Sequence, residues 1–291
     1  MDFKKLSSDD LSLIRGYFES ANLRSCDYSV GGVFLWRDFF NTHYAVFNNT
    51  LVFRYNYFGG IEAYSAPIGE DPRGAYLKIA EYEKNAINFC GAPISEGEII
   101  KSTFEGCEVT VTPTRDWYDY LYDPKDFITF QGKKFSAKRN HINKFRSLYS
   151  DWQVNVITAS DTDALKQFCN ELPENEESAL ASAEKHALDE CFNNYAVYNF
   201  KGVMLTVNGK IAAFSIGDVI GDTLFVHFEK ADTKIHGSYP VIANEFARIF
   251  ATDVSYINRE EDMGIEGLRK SKLSYYPVAF SEKADIKIKL K

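Results

Sequence analysis

The sequence predicts a two-domain α/β protein. Three observations favour this fold class. The length of 291 residues suits two domains of ordinary size. The composition, with 45% hydrophobic and 25% charged residues, is typical of globular proteins. Strand-like and helix-like segments alternate along most of the chain, and 23 Phe and 18 Tyr side chains favour a sizeable packed core in each half.

The second half gives the clearest order of elements. The predicted strands are residues 152–158, 202–207, 210–216, 223–230, 254–258 and 286–290, and the predicted helices are 161–169, 176–192, 239–250 and 265–275. Asn208-Gly209 between two apolar runs indicates a tight hairpin, because both turn residues need positive φ. The resulting order, β-α-α-β-β-β-α-β-α-β, is that of the GNAT acetyltransferase fold, which predicts an architecture but no reaction.

The first half is less regular. Its predicted helices are 11–18, 72–89 and 133–149, and its predicted strands are 44–47, 50–55, 107–112 and 118–122. This order is compatible with a second, degraded copy of the same unit, although no sequence repeat supports it. We therefore predict two tandem acetyltransferase-like (GNAT) domains, residues 1–150 and 151–291, each an α/β (α+β) unit with a mixed, mostly antiparallel sheet flanked by helices.

Composition also limits the cellular setting. The five cysteines, Cys26, Cys90, Cys107, Cys169 and Cys191, are odd in number and none has a partner at zinc-finger spacing. Free thiols in a reducing compartment are the expected state, and a metal site is not expected. No apolar run reaches bilayer length and no secretion signal follows Met1, so we expect a soluble, cytoplasmic protein, with peripheral attachment to the inner membrane face left open.

A basic helix is predicted over residues 131–146, with six Lys or Arg and no acid in a chain of net charge −8. The candidate anion-binding residues are Lys134, Lys138, Arg139 and Lys144. Like charges three or four residues apart repel one another, which suits an anionic partner such as tRNA phosphates or a lipid head group. The alternative is an ordinary solvated face.

The strand 223–230 carries the candidate proton acceptors. His227 and Glu229 point to one face of a strand, where two neighbouring titratable groups could supply a general base. A hydrogen-bonded structural pair is the alternative interpretation. We expect Lys230, or a backbone N–H of a splayed strand, to stabilise the oxyanion. By resemblance to the acetyltransferase fold, Tyr275 or Tyr276 would protonate the leaving group.

The loop 231–239 lies where the acetyltransferase fold holds the coenzyme A pyrophosphate at a helix N-terminus. The candidate binding residues in this loop are Lys234, Gly237, Ser238 and Tyr239. Lys234 retains the positive charge that is usual there. Tyr239, however, replaces a small residue that permits close phosphate approach, so the sequence disfavours coenzyme A as the donor.

A charged segment follows the strand 254–258. Glu260, Glu261 and Asp262 are expected to bind a substrate ammonium group. Asn258, Arg269 and Lys272 complete the candidate substrate-binding set. Helix capping by Asp262 and ion pairs within the helix are the alternative explanation, although they leave two acids unexplained.

Four of these segments, residues 133–145, 227–232, 237–239 and 261–273, resemble a bacterial family related to the C-terminal domain of phosphatidylglycerol lysyltransferase. The resemblance covers nearly the whole chain. It implies two tandem acetyltransferase-like domains and an acyl- or aminoacyl-transferase, with aminoacyl-tRNA as donor and an amine, lipid or peptide as acceptor. A coenzyme A-dependent N-acetyltransferase and a non-catalytic protein that binds RNA or anionic membranes remain the alternatives.

Overall fold

The computed structural model describes residues 1–173 and 179–291. Its strands are β1 (Lys4–Lys5), β2 (His43–Phe47), β3 (Thr50–Tyr57), β4 (Ile61–Tyr64), β5 (Ile68–Gly69), β6 (Ala86–Pro93), β7 (Glu108–Pro113), β8 (Asp119–Tyr122), β9 (Trp152–Val156), β10 (Lys201–Val207), β11 (Lys210–Ile220), β12 (Thr223–Ala231), β13 (Tyr256–Asn258), β14 (Ala279–Ser281) and β15 (Lys283–Lys289). Its α-helices are α1 (Leu11–Ala21), α2 (Val30–Phe34), α3 (Pro72–Tyr82), α4 (Glu96–Thr103), α5 (Pro124–Thr129), α6 (Ser136–Leu148), α7 (Thr162–Glu171), α8 (Ala179–Asn193), α9 (Ser238–Phe250) and α10 (Glu266–Leu273).

The strands form two mixed, mostly antiparallel sheets flanked by helices, which confirms the predicted fold class. The first sheet has the order β1-β2-β3-β4-β6-β15-β7, with β5 paired to β3. The second has the order β14-β8-β13-β12-β11-β10-β9. Only β4–β6 and β12–β13 pair in parallel among the described strands.

The chain crosses between the sheets twice. β8 follows the first sheet in sequence but pairs with β13 and β14 in the second. Conversely, the C-terminal strand β15 returns to the first sheet and lies between β6 and β7. Sheet membership therefore changes between Pro113 and Asp119, whereas residue 150 lies between α6 and β9; the predicted domain division at residue 150 stays a prediction.

Local turn chemistry accounts for the two predicted hairpins. Asn48 and Asn49 join β2 to β3 with φ values of 46° and 53°. Asn208 and Gly209 join β10 to β11 with φ values of 50° and 73°. Asn and Gly are the residues that most readily adopt this left-handed backbone, so both hairpins are confirmed.

The helix predicted over residues 72–89 is wrong in its second half. α3 ends at Tyr82, and residues 86–93 form β6, a strand between β4 and β15 in the first sheet. Ile87 and Phe89 alternate into the core on this strand, a period-2 signal that the preceding helix obscured. Seven further elements were not predicted from the sequence: α2, α4, α5, β1, β4, β5 and β14. Of the helix predicted over residues 176–192, residues 176–178 lie outside the described ranges.

A shared hydrophobic core joins the two sheets. It brings Ile14 and Phe34, from the first-half helices, against Phe214 and Phe225 of the second sheet. All four side chains are buried, so the two halves pack as one body around the space between them. Within residues 1–173 and 179–291, no helix combines the length and apolar character that crossing a bilayer requires.

Candidate functional site

A cleft of about 1100 Å³, counting the space at its open mouth, lies between the two sheets. Its aromatic lining consists of Tyr28, Trp36, Phe40, Phe53, Tyr55, Tyr57, Phe58 and Trp117. Five of these rings, those of Phe40, Tyr55, Tyr57, Phe58 and Trp117, pack against one another, and Phe58 and Trp117 stack with centroids 5.0 Å apart. The walls therefore come mainly from the first half of the chain and offer π-faces to a ligand.

The polar lining of the cleft comes from both halves. Glu260 and Glu261, which follow β13, line it together with Lys283 at the start of β15. Cys26 and Asp27 contribute from the segment before α2. An aromatic cleft with a few convergent polar groups is the usual form of a small-molecule or cofactor site.

Lys283 holds the buried end of this polar group together. Its Nζ lies 2.8 Å from Asp119 Oδ1 and 2.7 Å from Asp27 Oδ2, and the lysine side chain is only 4% exposed. Cys26, Asp119 and Glu261 have ligand atoms close enough to share a metal ion. The Lys283 ammonium group also donates to Cys26 Sγ at 3.4 Å, so the chain supplies its own cation there.

Glu261 has an unusual protonation equilibrium. Burial raises the pKa of this carboxyl to about 7, with Lys283 acting in the opposite direction and the neighbouring Glu260 adding to the rise. Its Oε2 accepts a hydrogen bond from Cys26 Sγ at 3.5 Å. A carboxyl group that titrates near neutrality can accept and return a proton during one reaction cycle.

His227 does not pair with Glu229, and that part of the prediction is wrong. The ring lies between two other carboxylates, with Nε2 2.7 Å from Asp218 Oδ1 and Nδ1 2.8 Å from Glu260 Oε1. Burial disfavours the imidazolium, but the two carboxylates outweigh it and raise the pKa of His227 to about 10. A histidine that retains both protons is a poor general base at neutral pH.

Glu229 instead forms a partly buried ion pair with Arg259, at 2.6 Å. The Arg259 guanidinium also lies 4.7 Å from the ring centroid of Tyr275, which stacks on Phe127. Burial raises the pKa of Tyr275 to about 12. Lys230 binds Glu184 at 2.7 Å. Glu229, Lys230 and Tyr275 do not line the cleft, so their catalytic roles stay predictions.

The carboxylate of Asp262 is engaged in hydrogen bonds within the protein. Its carboxylate accepts two hydrogen bonds from Arg269, at 2.9 and 2.6 Å, and one from the Tyr120 hydroxyl at 2.5 Å. Burial would raise the pKa of Asp262, but these hydrogen bonds outweigh burial and lower it to about 2. The predicted ammonium cluster thus divides: Glu260 and Glu261 face the cleft, while Asp262 anchors α10.

Two further predicted residues support the strand end that carries Glu260. Asn258 is buried, donates to Asp119 Oδ2 at 3.0 Å and accepts from the Glu260 backbone N–H at 2.6 Å. Lys272 donates to the carbonyl oxygen of Arg259, and burial lowers its pKa. Both act on the shape of the segment that presents the two glutamates to the cleft.

The loop before α9 has the conformation of a helix start. Gly237 has φ 83°, and a Cβ there would lie 2.7 Å from the His141 carbonyl oxygen. Ser238 is buried and donates to backbone oxygens within the loop, whereas the Lys234 backbone N–H donates to Asp232. Tyr239 is 39% exposed. These residues lie outside the cleft, and their predicted role in anion binding stays a prediction.

The basic helix forms as predicted, as a 3₁₀ turn followed by α6, with Phe135, Ile142 and Phe145 buried. Its charges are not all available to a partner. Lys134 pairs with Asp126 at 2.7 Å, and Arg139 donates to the carbonyl oxygens of Phe130 and Gly132. Lys138 turns inward, with Nζ 3.5 Å from the Tyr275 ring centroid. Burial lowers the pKa of Lys138 to about 8.

Most of the residues that line the cleft were not predicted from the sequence. The lining rings of Trp36, Phe40, Tyr57 and Phe58 could be seen in the sequence only as aromatic composition, because nothing local indicates which rings face a cavity. Lys283 and Asp119 were also missed, although they are buried charges and lie 164 positions apart in the sequence. Such charges need a partner, and in this fold the partner comes from the other sheet.

Comparison with known families gives one extended match. A family model described as phosphatidylglycerol lysyltransferase, C-terminal, matches residues 18–283. An uncharacterised protein of Mycoplasmoides gallisepticum is 26% identical over 168 residues, which span 55% of this chain and 52% of that protein. The match thus spans about half the length of that relative.

Solved structures extend the comparison to the fold. A conserved protein of unknown function from Bacteroides thetaiotaomicron is 34% identical, with complete coverage of both chains and a TM-score of 0.89. L-PGS from Bacillus licheniformis is 14% identical, with 96% of this chain and 91% of that chain covered and a TM-score of 0.61. The second similarity shows the fold alone.

Proposed function

Because the chain belongs to the phosphatidylglycerol lysyltransferase C-terminal family, we propose that it transfers an aminoacyl or acyl group from an activated ester to an acceptor within the cleft. The observation that carries this proposal is the pair of adjacent glutamates, Glu260 and Glu261, between aromatic walls. Aminoacyl-tRNA is the proposed donor, and an amine, lipid hydroxyl or peptide amine is the proposed acceptor.

Glu261 is the proposed general base. Its carboxylate takes the proton from the acceptor O–H or N–H as that atom attacks the ester carbonyl, and a tetrahedral intermediate forms. When the intermediate collapses, the ester C–O bond breaks and Glu261 returns the proton to the leaving hydroxyl. Its pKa of about 7 supports this exchange, because both protonation states are populated near neutrality.

The aminoacyl group carries an ammonium group, which the cleft is suited to hold. Glu260 supplies a carboxylate and rings such as Trp36 and Trp117 supply π-faces. A cation over an aromatic face contributes about 0.5–2 kcal/mol, and more when water is excluded. The ammonium-binding role predicted for Glu260 therefore remains part of the proposal, without Asp262.

Ligand binding in the cleft is testable with the three tryptophans of the chain. Trp36 and Trp117 line the cleft, whereas Trp152 lies on β9 and serves as an internal reference. Titration of the full chain with n-butylammonium should shift the indole N–H signals of Trp36 and Trp117 and leave that of Trp152 unchanged. 1-Butanol, the neutral isostere, should bind with an affinity at least about tenfold lower when its binding is followed through the same two signals.

Catalysis is tested with tRNA charged with radiolabelled amino acids and with vesicles containing phosphatidylglycerol or with a soluble amine as acceptor. Glu261→Gln should reduce transfer by about 10²–10⁴-fold, as expected for loss of a general base, while n-butylammonium still binds. Glu266→Gln, at an exposed position on α10, is the matched control and should transfer like the parent. Equal transfer by Glu261→Gln and the parent would contradict the base assignment, and binding without any transfer would indicate the non-catalytic alternative.

A further inference from the structure

The surroundings of His227 fix its ring in one position. The side chain is 3% exposed and lies parallel to the Phe225 ring, with an interplanar angle of 2°. Gly31 of α2 presses against it so closely that a Cβ there would lie 2.2 Å from ring atoms. Any residue other than glycine at position 31 would therefore displace the imidazole ring.

Both ring nitrogens face carboxylate oxygens, from two different elements. Asp218 on β11 contacts Nε2 and Glu260, after β13, contacts Nδ1. An ionised carboxylate can only accept hydrogen bonds, so a ring that satisfies both contacts must donate from both nitrogens. Asp218 is itself held, because its Oδ2 accepts from the Val30 backbone N–H at 2.9 Å.

Glu260, at the other end of this chain of contacts, has a costly backbone conformation. Its φ is 57°, in the left-handed region that a non-glycine residue seldom adopts. Its backbone N–H donates to Asn258 Oδ1 at 2.6 Å, and His227 engages Oε1. Among the described residues no donor is bonded to Oε2, and Glu260 lines the cleft. Strain of this kind commonly accompanies a functional position.

We propose that His227, fixed by Asp218 and Gly31, is a positioning residue whose doubly protonated ring holds Glu260 so that its free carboxylate oxygen faces the cleft. This inference rests on the proposed function only for what Glu260 binds, an ammonium group of the substrate. It assigns His227 a role different from that of proton acceptor, and Asp218 a role in the site. The two carboxylates in the cleft then have separate tasks, since Glu260 binds a cation and Glu261 moves a proton.

The state of the ring is tested first, in the full chain labelled with ¹⁵N-histidine. There are five histidines, and His227 is assigned as the signal missing from His227→Gln. Its two ring nitrogens should both remain protonated at pH 9, with hydrogen bonds to carboxylates on each side. Loss of a ring proton below pH 8 would overturn the inference. This readout requires no ligand and is independent of the proposed function.

The positioning role is tested second, through n-butylammonium binding followed at Trp36 and Trp117. His227→Gln and Asp218→Asn should each weaken binding about tenfold, the order expected when one charge-assisted contact is misplaced. His227→Phe should weaken it further, because Gln retains one donor. His186→Gln, at an exposed position, is the control and should bind like the parent.

Gly31→Ala tests the same role without removing any charged group. The added methyl group must displace the ring, so binding should weaken as in His227→Gln, and the Glu260 ¹³Cδ signal should move in both variants. If Gly31→Ala does not fold, the Asp218→Asn and ring-proton measurements still decide the inference. A parent protein that binds no n-butylammonium would contradict the proposed function alone, while unchanged Glu260 signals in His227→Gln would contradict the positioning role.

Discussion

Lys283 and Asp119 form an ion pair of 2.8 Å that joins the two sheets, since Lys283 lies on β15 of the first sheet and Asp119 on β8 of the second. The side chains are 4% and 0% exposed. β8 comes from the first half of the chain but lies in the second sheet, whereas β15 comes from the second half but lies in the first sheet. The contact therefore fixes the buried end of the cleft where the two crossings meet.

Removal of the Lys283 charge should destabilise the protein strongly. Lys283→Met leaves Asp119 and Asp27 without their cation, and breaking a buried pair on one side costs about 3–5 kcal/mol. The free energy of unfolding is measured by urea denaturation. Lys289→Met on the same strand removes an exposed pair with Glu108 and should cost less than about 1 kcal/mol. Equal effects of the two variants would contradict this account of the pair.

Glu261 should make stability depend on pH in a defined direction. Its folded pKa of about 7 lies above its ordinary value of 4.5, so the folded state holds a proton that the unfolded state releases. The stabilisation is complete below pH 4.5 and is lost as pH rises towards 7. Relative to the parent, Glu261→Gln should therefore gain on the order of 1–3 kcal/mol of unfolding free energy across this window. A constant difference from pH 4 to 8 would contradict the raised pKa, and Glu266→Gln is the matched control.

The sequence predicted features whose cause is local. Asn48-Asn49 and Asn208-Gly209 specified their hairpins through turn chemistry, and the apolar stripe that includes Phe135 and Phe145 specified α6. Pairing between distant segments was not encoded in this way. Nothing near β15 indicates that it inserts between β6 and β7.

The candidate site shows the same limit. The two glutamates after β13 were identified, because consecutive acids at a strand end are conspicuous in the sequence. Their partners were not, because His227 meets Asp218 only through the pairing of β12 with β11, which no local signal in the sequence indicates. The antiparallel pairing of β11 with β12 places Asp218 opposite Phe225, and His227 lies two residues further along β12. The spacing of His227 and Glu229 on one strand was thus a poor predictor of the partner of His227, which comes from the neighbouring strand.

Acetyl-coenzyme A should bind weakly or not at all. Pairing between β12 and β13 ends at Phe225 and Asn258. Beyond that point the Glu229–Arg259 ion pair bridges the two segments next to the Tyr275 ring, so we expect the gap between the two strands to be closed to a coenzyme A donor. Calorimetry at micromolar protein should show no heat of binding. From the sequence this exclusion was attributed to Tyr239, whereas we expect the ion pair to be sufficient, so Tyr239→Gly should behave like the parent. A tight, stoichiometric isotherm for the parent would contradict the preference for an aminoacyl donor, and heat in Tyr239→Gly alone would assign the exclusion to Tyr239.

The basic helix should contribute fewer contacts to an anionic partner than its composition indicates. Lys134 and Lys138 are engaged by Asp126 and by Ser274 and Tyr275, whereas Lys144 is exposed and its side chain has no hydrogen bond or ion pair within the described residues. If the helix contacts tRNA phosphates, Lys144→Gln should flatten the log–log salt dependence of binding by about 0.7–0.9, the value for one contact.

Lys138→Gln provides the contrast on the same helix. It should leave the salt slope unchanged and lower the unfolding free energy by about 1 kcal/mol, because it removes a partly buried cation from an aromatic face. Lys101→Gln on α4 controls for the loss of one exposed charge elsewhere. A Lys138→Gln slope that flattens like that of Lys144→Gln would show that the lysine turns outward to bind. Unchanged slopes in both variants would show that α6 is a solvated face, and the anionic partner would then have to bind at the mouth of the cleft or at the loop before α9.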